Sequence, residues 1–323
     1  MNITEFTALE AEKVEKYLRE ELREETRVET METMKVNDRR LFGISILKGE
    51  EPSPTFYLND FFHAYECGAE PDEIARDIAD LYVNCMANGP QPAGEIPDME
   101  YETVKERVGL RLLGIEYNRE FLKAVPFRGM GNGYAMICDI EMDASDGGIF
   151  STVVTNEMTE RYNYDMETLF GIAFDNAWRR NPAVLMGSRE LMDPKASPEE
   201  EDCYVLTAKR PQFGAAALFY PGTQAMIADV LGEDYVALPS SLHEFIIIRE
   251  SRAAGPRDLQ RMVREANRIV VGPDEVLSDN VLKYSRQTGM LSLISEWEDT
   301  GPARRRQTGP GQNALVYDGG HTV

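Results

Sequence analysis

Within its first 47 residues the chain changes hydrophobic period, and the change points to short helical and strand units placed one after another. Over residues 5–26, Phe6, Leu9, Val14, Tyr17, Leu18 and Leu22 recur at helical spacing and form an apolar stripe. The spacing of Thr7 and Glu10 suits a capping box. The carboxylates between the apolar positions read as a solvated face. From Val28 the period drops to two. Val28, Thr30, Glu32, Met34 and Val36 alternate with their neighbours, Asn37-Asp38 supplies turn chemistry, and Leu41–Leu47 reads as the return strand of a hairpin.

The same alternation of periods continues along the chain. Thr55–Leu58 reads as a third strand, and Pro71-Asp72-Glu73 opens a helix, because proline and acids suit a helix N-terminus. Gly89-Pro90-Gln91-Pro92-Ala93-Gly94 is punctuation between units. A helical run over Tyr101–Leu113 leads to strands at Tyr134–Met142 and Ile149–Thr155, then to a helix through Leu169, Ile172, Ala173 and Trp178. Asn59 and Tyr65 precede one helix at the spacing with which Asn156 and Tyr162 precede another, as a weak internal repeat would.

In the last third, Cys203–Thr207 and Ala215–Tyr220 read as paired strands, 222–231 as a helix ending at Gly232, and Tyr235–Leu238 and Glu244–Arg249 as strands. The run Phe245-Ile246-Ile247-Ile248 is apolar enough for burial on both faces. Pro256 opens a helix to Ile269, and Asn280–Tyr284 with Leu291–Ile294 reads as a closing hairpin.

The class that follows is α+β: mixed sheets built from short hairpin and helix units, behind an N-terminal amphipathic helix. The expected divisions are the N-terminal helix at 1–27, α+β units at 28–97, 98–196 and 197–297, and a disordered tail at 298–323. The tail holds Gly, Pro, Gln and the cluster Arg304-Arg305-Arg306, with too little apolar content to offset ordering entropy. The rest of the chain does not lack it, since 42% of all residues are hydrophobic.

Charge narrows the function classes. The formal net charge is −22, and residues 1–100 carry ten Lys or Arg against 23 Asp or Glu. Residues 201–323 are close to balance, with 13 against 16. A chain this acidic is disfavoured on nucleic-acid phosphates or an anionic membrane surface. Any anion-binding surface belongs to the balanced last third. Cys67, Cys85, Cys138 and Cys203 stand far apart without a Cys-x-x-Cys pair, which reads as buried free thiols in a reducing cytosol. No signal peptide is read at the N-terminus, and no apolar stretch nears the roughly 20 residues of a membrane span. The expected location is the cytoplasm.

The candidate ligand site is the turn Leu238-Pro239-Ser240-Ser241-Leu242-His243-Glu244. Ser240, Ser241, His243 and Glu244 bring hydroxyls, an imidazole and a carboxylate to a strand end, where function collects. Three readings stay open for it: a structural turn, a ligand site, or a serine nucleophile with His243 as base. No Gly-x-Ser-x-Gly elbow is present, and the second histidine of a zinc-protease signature would fall on Ile247.

A second candidate is the basic stripe Arg257, Arg261, Arg264 and Arg268, opposite Leu259, Met262, Val263 and Ala266. It could bind an anion or an acidic partner, or pair with Asp258, Glu265 and the acidic N-terminal third. Asp139, Glu141 and Asp143 share one face of a strand and read as solvent-facing. Gly129-Met130-Gly131-Asn132-Gly133 reads as a loop, and His63, amid Phe61, Phe62 and Tyr65, as a core-edge histidine. No metal site, cofactor fingerprint or catalytic set is read.

Tyr204-Val205-Leu206-Thr207, Phe213-Gly214-Ala215-Ala216, Leu218-Phe219-Tyr220-Pro221-Gly222 and the turn Leu238–Glu244 follow one another in the order of a bacterial domain-of-unknown-function family, number 5688. Val276–Val281, Thr155-Asn156-Glu157-Met158 and Met166–Phe170 fit it too, so the chain resembles that family over roughly 30–297. It departs at Tyr162, where the family often has Trp, and at Ala208, where it has Asn after the Leu-Thr pair. The resemblance carries no assigned activity. The functional reading is a non-enzymatic binding or regulatory protein, taking a protein partner or a small ligand beside the Leu238–Glu244 turn. The alternatives are a hydrolase-like enzyme using Ser241 and His243, and an acidic nucleic-acid mimic.

Overall fold

The protein is described by a computed structural model covering residues 1–20, 26–48, 54–88, 98–143, 149–188 and 203–296. The Gly89–Gly94 boundary and the tail at 298–323 lie outside these residues.

Helix α1 (Ile3–Glu20) is entered through a capping box, but a different one from that expected. Asn2 Oδ1 accepts from the Glu5 N–H at 2.9 Å, and Glu5 Oε2 accepts from the Asn2 N–H at 3.0 Å. Thr7 instead donates to the Ile3 carbonyl, and Glu10 turns inward. Strands β1 (Arg27–Lys35) and β2 (Arg39–Leu47) form the expected hairpin, and β3 (Thr55–Tyr57) completes a three-stranded antiparallel sheet. Asn37 and Asp38 take positive φ values of 61° and 49°. That is the primed turn whose twist matches a hairpin. Helices α2 (Asn59–Glu66) and α3 (Pro71–Asn88) close this unit over Phe6, Val14, Leu18, Ile44, Ile46 and Ile78.

The middle of the chain corrects one expectation. Tyr101–Leu113 is not one helix: α4 (Tyr101–Val104) and a single 3-10 turn give way to strand β4 (Val108–Gly114). Six of the seven β4 residues are buried, so both faces are covered and the two-residue alternation that marks a strand is absent. Strand β6 (Tyr134–Asp143) is the hub of this sheet. It pairs with β4 along one edge and with β5 (Phe127–Gly131) and then β7 (Ile149–Val153) along the other. The glycine-rich segment expected as a loop is therefore the end of β5 and its turn into β6, with Asn132 at φ 54°. Helices α5 (Asn156–Arg161) and α6 (Met166–Arg180) follow, so Asn59 and Asn156 each open a short helix ahead of a longer one.

The third sheet has six strands in the order β13-β12-β10-β11-β9-β8. They are β8 (Ala183–Gly187), β9 (Cys203–Ala208), β10 (Tyr235–Ser241), β11 (Glu244–Arg249), β12 (Leu282–Ser285) and β13 (Met290–Leu293). Ala215–Tyr220 does not pair with β9 as a strand. Gly214–Phe219 is a buried 3-10 helix, and β9 pairs with β11 and β8. A run of three alanines, with little side-chain bulk, packs here as a tight helix against the sheet. Helices α7 (Thr223–Leu231) and α8 (Pro256–Ile269) sit where expected.

Every strand pairing among the described residues is antiparallel. One continuous core joins the four-stranded and six-stranded sheets through Tyr134, Met136, Leu169, Phe219, Phe245 and Leu282. A smaller core holds α8 on the far face through Leu259, Val263 and Val236. Among the described residues, no helix is long and apolar enough to cross a membrane. The four cysteines are free, but only Cys138 is buried, and Cys67 is exposed. His63 is exposed too, not at a core edge.

Candidate ligand cleft

The Leu238–Glu244 turn is built as a hydrogen-bonded clamp. Ser241 Oγ accepts from the His243 N–H at 3.1 Å, and Ser240 Oγ donates to Glu244 Oε1 at 3.1 Å. The His243 carbonyl accepts from Thr207 Oγ1 at 2.8 Å. His243 Nδ1 accepts the Phe213 N–H at 3.0 Å, which places the neutral ring's proton on Nε2, 3.6 Å from Glu275 Oε1. In that tautomer neither nitrogen has a lone pair free to take a proton from Ser241.

The clamp holds the entry to the 3-10 helix. A Cβ on Gly214 would lie 2.2 Å from Thr207 Oγ1 and 2.7 Å from the His243 carbonyl oxygen, so only glycine fits. The residue before it, Phe213, has φ 57°, a left-handed conformation that is costly for a bulky side chain. Its ring is held from two sides. The Arg111 guanidinium carbon lies 3.9 Å from the ring centroid and the His243 ring 5.8 Å away. Of the four turn residues, His243 contacts Phe213, whose ring in turn packs on Arg111.

Arg111 lies buried behind a cleft lined by β4, β6, α6 and residues 210–220. The carboxylates of β6 face inward here, against the expectation of a solvated strand face. Asp139 is 2% exposed and its Oδ2 accepts from Arg111 Nε at 2.7 Å. Arg111 Nη2 also donates to Ser151 Oγ at 2.6 Å. Glu141, two residues on and on the same face, receives Arg210 Nη2 at 2.6 Å. The Asp143 side chain lies outside the described residues. Each of these two charged carboxylates meets an arginine, which offsets the cost of burying the charge.

The pairing leaves atoms over. Asp139 Oδ1 is buried with no hydrogen-bond partner. A Cβ on Gly109 of β4 would lie 2.6 Å from Asp139 Oδ1 and 2.7 Å from Glu141 Oε1, so only glycine lets the two carboxylates pack this closely over β4. A cavity of about 20 Å³ is lined by Asp139, Glu141, Arg180, Arg210, Phe213 and Tyr220 among others. Burial, and then the Asp139 charge beside it, raises the Glu141 carboxyl above the ordinary carboxylate range. Burial, with both carboxylates close by, likewise raises the Tyr220 hydroxyl on the cleft wall.

Reading the sequence missed this site, although one signal was present. Arg111 stands inside Gly109-Leu110-Arg111-Leu112-Leu113, and Asp139 inside Ile137-Cys138-Asp139-Ile140. A charge in the middle of an apolar run needs a buried partner of opposite sign.

The stripe Arg257, Arg261, Arg264 and Arg268 is exposed along α8, away from the cleft on the far face of the sheet. Arg261 pairs with Asp258 at 2.9 Å and Arg264 with Asp279 at 3.8 Å. Among the described residues no carboxylate of the acidic N-terminal third reaches it.

Fold and site together define an antiparallel α+β protein with a cleft lined by Asp139 and Glu141 beside the four-stranded sheet. The chain belongs to the family of unknown function DUF5688, whose model matches residues 5–286. No curated protein and no solved structure matches it.

Proposed function

We propose that this chain is a non-enzymatic binding protein of the bacterial cytoplasm, and that it takes a small polar ligand in the cleft beside Asp139 and Glu141. The observation that carries the reading is Asp139, which lines the cleft and whose buried Oδ1 has no hydrogen-bond partner. An unsatisfied buried acceptor costs about 1–3 kcal/mol, more when charged, and a ligand donor recovers that cost on binding. The Leu238–Glu244 turn serves this site indirectly, by fixing Phe213. The hydrolase reading draws no support from the turn, because His243 Nδ1 accepts the Phe213 N–H and the Ser241 hydroxyl oxygen accepts from the His243 backbone N–H rather than meeting its ring.

The test is a thermal-shift screen of amines, amides, alcohols and amino acids against wild type and an Arg111→Met/Asp139→Leu double variant. Removing both members of a buried ion pair is close to neutral for folding, whereas removing one is not. A ligand at a hundred times its Kd stabilises by about 2.7 kcal/mol. For a chain of this size that is a rise of roughly 5 °C or more. The reading expects such a rise for at least one class, lost in the folded double variant. No rise with any class, or an equal rise in the variant, contradicts it.

A further inference from the structure

Two exposed helix faces carry opposite charge at the same spacing. On α8, Arg257, Arg261, Arg264 and Arg268 follow at intervals of four, three and four residues. That spacing sets them on one face, over about 16 Å of helix. On α3, Glu73, Asp77 and Asp80 stand at the first two of those intervals, and Asn84 takes the fourth place. All eight residues are exposed. The series of intervals reads the same in both directions, so the two rows match whether the helices meet parallel or antiparallel.

Neither row is answered within its own chain. Arg257 and Arg268 make no ion pair among the described residues, and neither do Glu73, Asp77 and Asp80. Arg261 reaches Asp258 on its own helix, and Arg264 reaches Asp279 only at 3.8 Å. On the helices themselves, four arginines against Asp258 and Glu265 leave the α8 face positive by two. Glu73, Asp77 and Asp80 against Arg76 leave the α3 face negative by two, with Asp72 taken by Lys13. Each face thus fits the other in spacing and in charge. Exposed ion pairs add little affinity and mainly fix register and partner choice. Apolar surface beside the rows supplies the rest. Leu81 and Val83 flank the α3 row at 47% and 41% exposed, and Met262 and Ile269 edge the α8 row at 52% and 71%.

We propose that α8 of one copy of this chain docks on α3 of a second copy, arginine row against carboxylate row. The contact is independent of the cleft and of any ligand in it. Each copy carries a net charge of −22, which repels the other at long range. At physiological ionic strength the Debye length is about 8 Å, so that repulsion is screened while the facing rows still attract. Because α8 and α3 are different surfaces, the contact either closes in a two-fold pair that makes it twice or continues head to tail.

Charge exchange between the rows tests the pairing by sedimentation of the full chain over a concentration series. One variant is Arg261→Glu/Arg264→Glu and the other Asp77→Lys/Asp80→Lys, each shown to be folded by circular dichroism. All four positions are exposed, where substitutions disturb folding little. The wild type is expected to associate, and each variant alone to do so at least about tenfold more weakly, because like charges then face each other. In an equimolar mixture the two reversed rows meet as opposites, and so do the two native rows. Association is expected to return to within about threefold of the wild type. A wild type that stays monomeric up to about 1 mM overturns the proposal. Association that either variant keeps in full, or a mixture as weak as its components, overturns it too.

Discussion

Asp139 is hydrogen-bonded to an arginine, and the buried Glu10 is hydrogen-bonded to nothing. Glu10 lies on the apolar face of α1, fully buried, with neither oxygen hydrogen-bonded. Burial is the main cause that raises its carboxyl from 4.5 to about 7, and Lys13 offsets only part of it. Between those values the folded state holds a proton that the unfolded chain has released. Stability contributed by this group is full below about 4.5 and falls as pH rises toward 7, by an amount of order 3 kcal/mol. We expect Glu10→Leu to raise the urea midpoint at pH 8 and to flatten the pH dependence between pH 5 and 8. An unchanged pH profile would show that Glu10 is solvated.

At Asp139 the arginine is present, so the expected signs differ. Arg111→Met alone leaves a buried carboxylate and should cost roughly 3–5 kcal/mol, whereas Arg111→Met/Asp139→Leu should cost far less. Urea denaturation of the two variants separates these cases, and equal losses would mean the pair is not desolvated. Such pairs are visible in a sequence only as charges out of place. Arg111 and Asp139 stood in apolar runs, but nothing in either run names the partner, 28 residues away.

At the scale of elements, what was legible is what local chemistry decides. The β1–β2 hairpin, the start of α3 at Pro71, the Gly232 stop after α7 and the β12–β13 hairpin all follow from turn, cap and period signals. What was not legible is decided by neighbours. β4 lost its alternation because both faces are covered. The Gly214–Phe219 helix read as a strand because its glycine, left-handed Phe213 and buried alanines respond to β9 and to the β10–β11 turn rather than to one another. The candidate turn was found for its chemistry, yet its partner Phe213 lies 30 residues earlier, and the cleft that Phe213 borders is built by β4 and β6.

The hairpin tip makes the same point in reverse, since a local signal there serves a distant contact. Asn37 N–H donates to Asn118 Oδ1 at 2.7 Å, and its side-chain amide donates to the Pro273 and Val276 carbonyls at 2.9 Å each. Asp38 Oδ1 accepts from the backbone N–H groups of Glu120 and Phe121 at 3.0 and 2.8 Å. Asp38→Ala removes those acceptors and should cost about 1–2 kcal/mol in urea denaturation, as loss of a helix cap does. A loss under about 0.5 kcal/mol, the range of ordinary surface changes, would mean the tip is not docked.

Over the whole molecule, two cores set the cooperative units. Residues 3–82 bury their own cluster around Phe6 and Ile44. The cluster around Tyr134 draws on both the four-stranded and the six-stranded sheets, and so supports the walls of the cleft from behind. The hairpin tip ties the first unit to the second. We expect hydrogen exchange in moderate urea to release α1 and α3 before β6 and β10. Simultaneous release would make the chain a single unit.

The central claim is that the cleft beside Asp139 is a binding site and not merely a packing defect. Native mass spectrometry of the purified chain beside the Arg111→Met/Asp139→Leu variant addresses it most directly, with the screened compounds added in turn. The account predicts a one-to-one adduct of a small polar molecule on the wild type and none on the folded variant. Bare protein in both, or the same adduct on both, would contradict it.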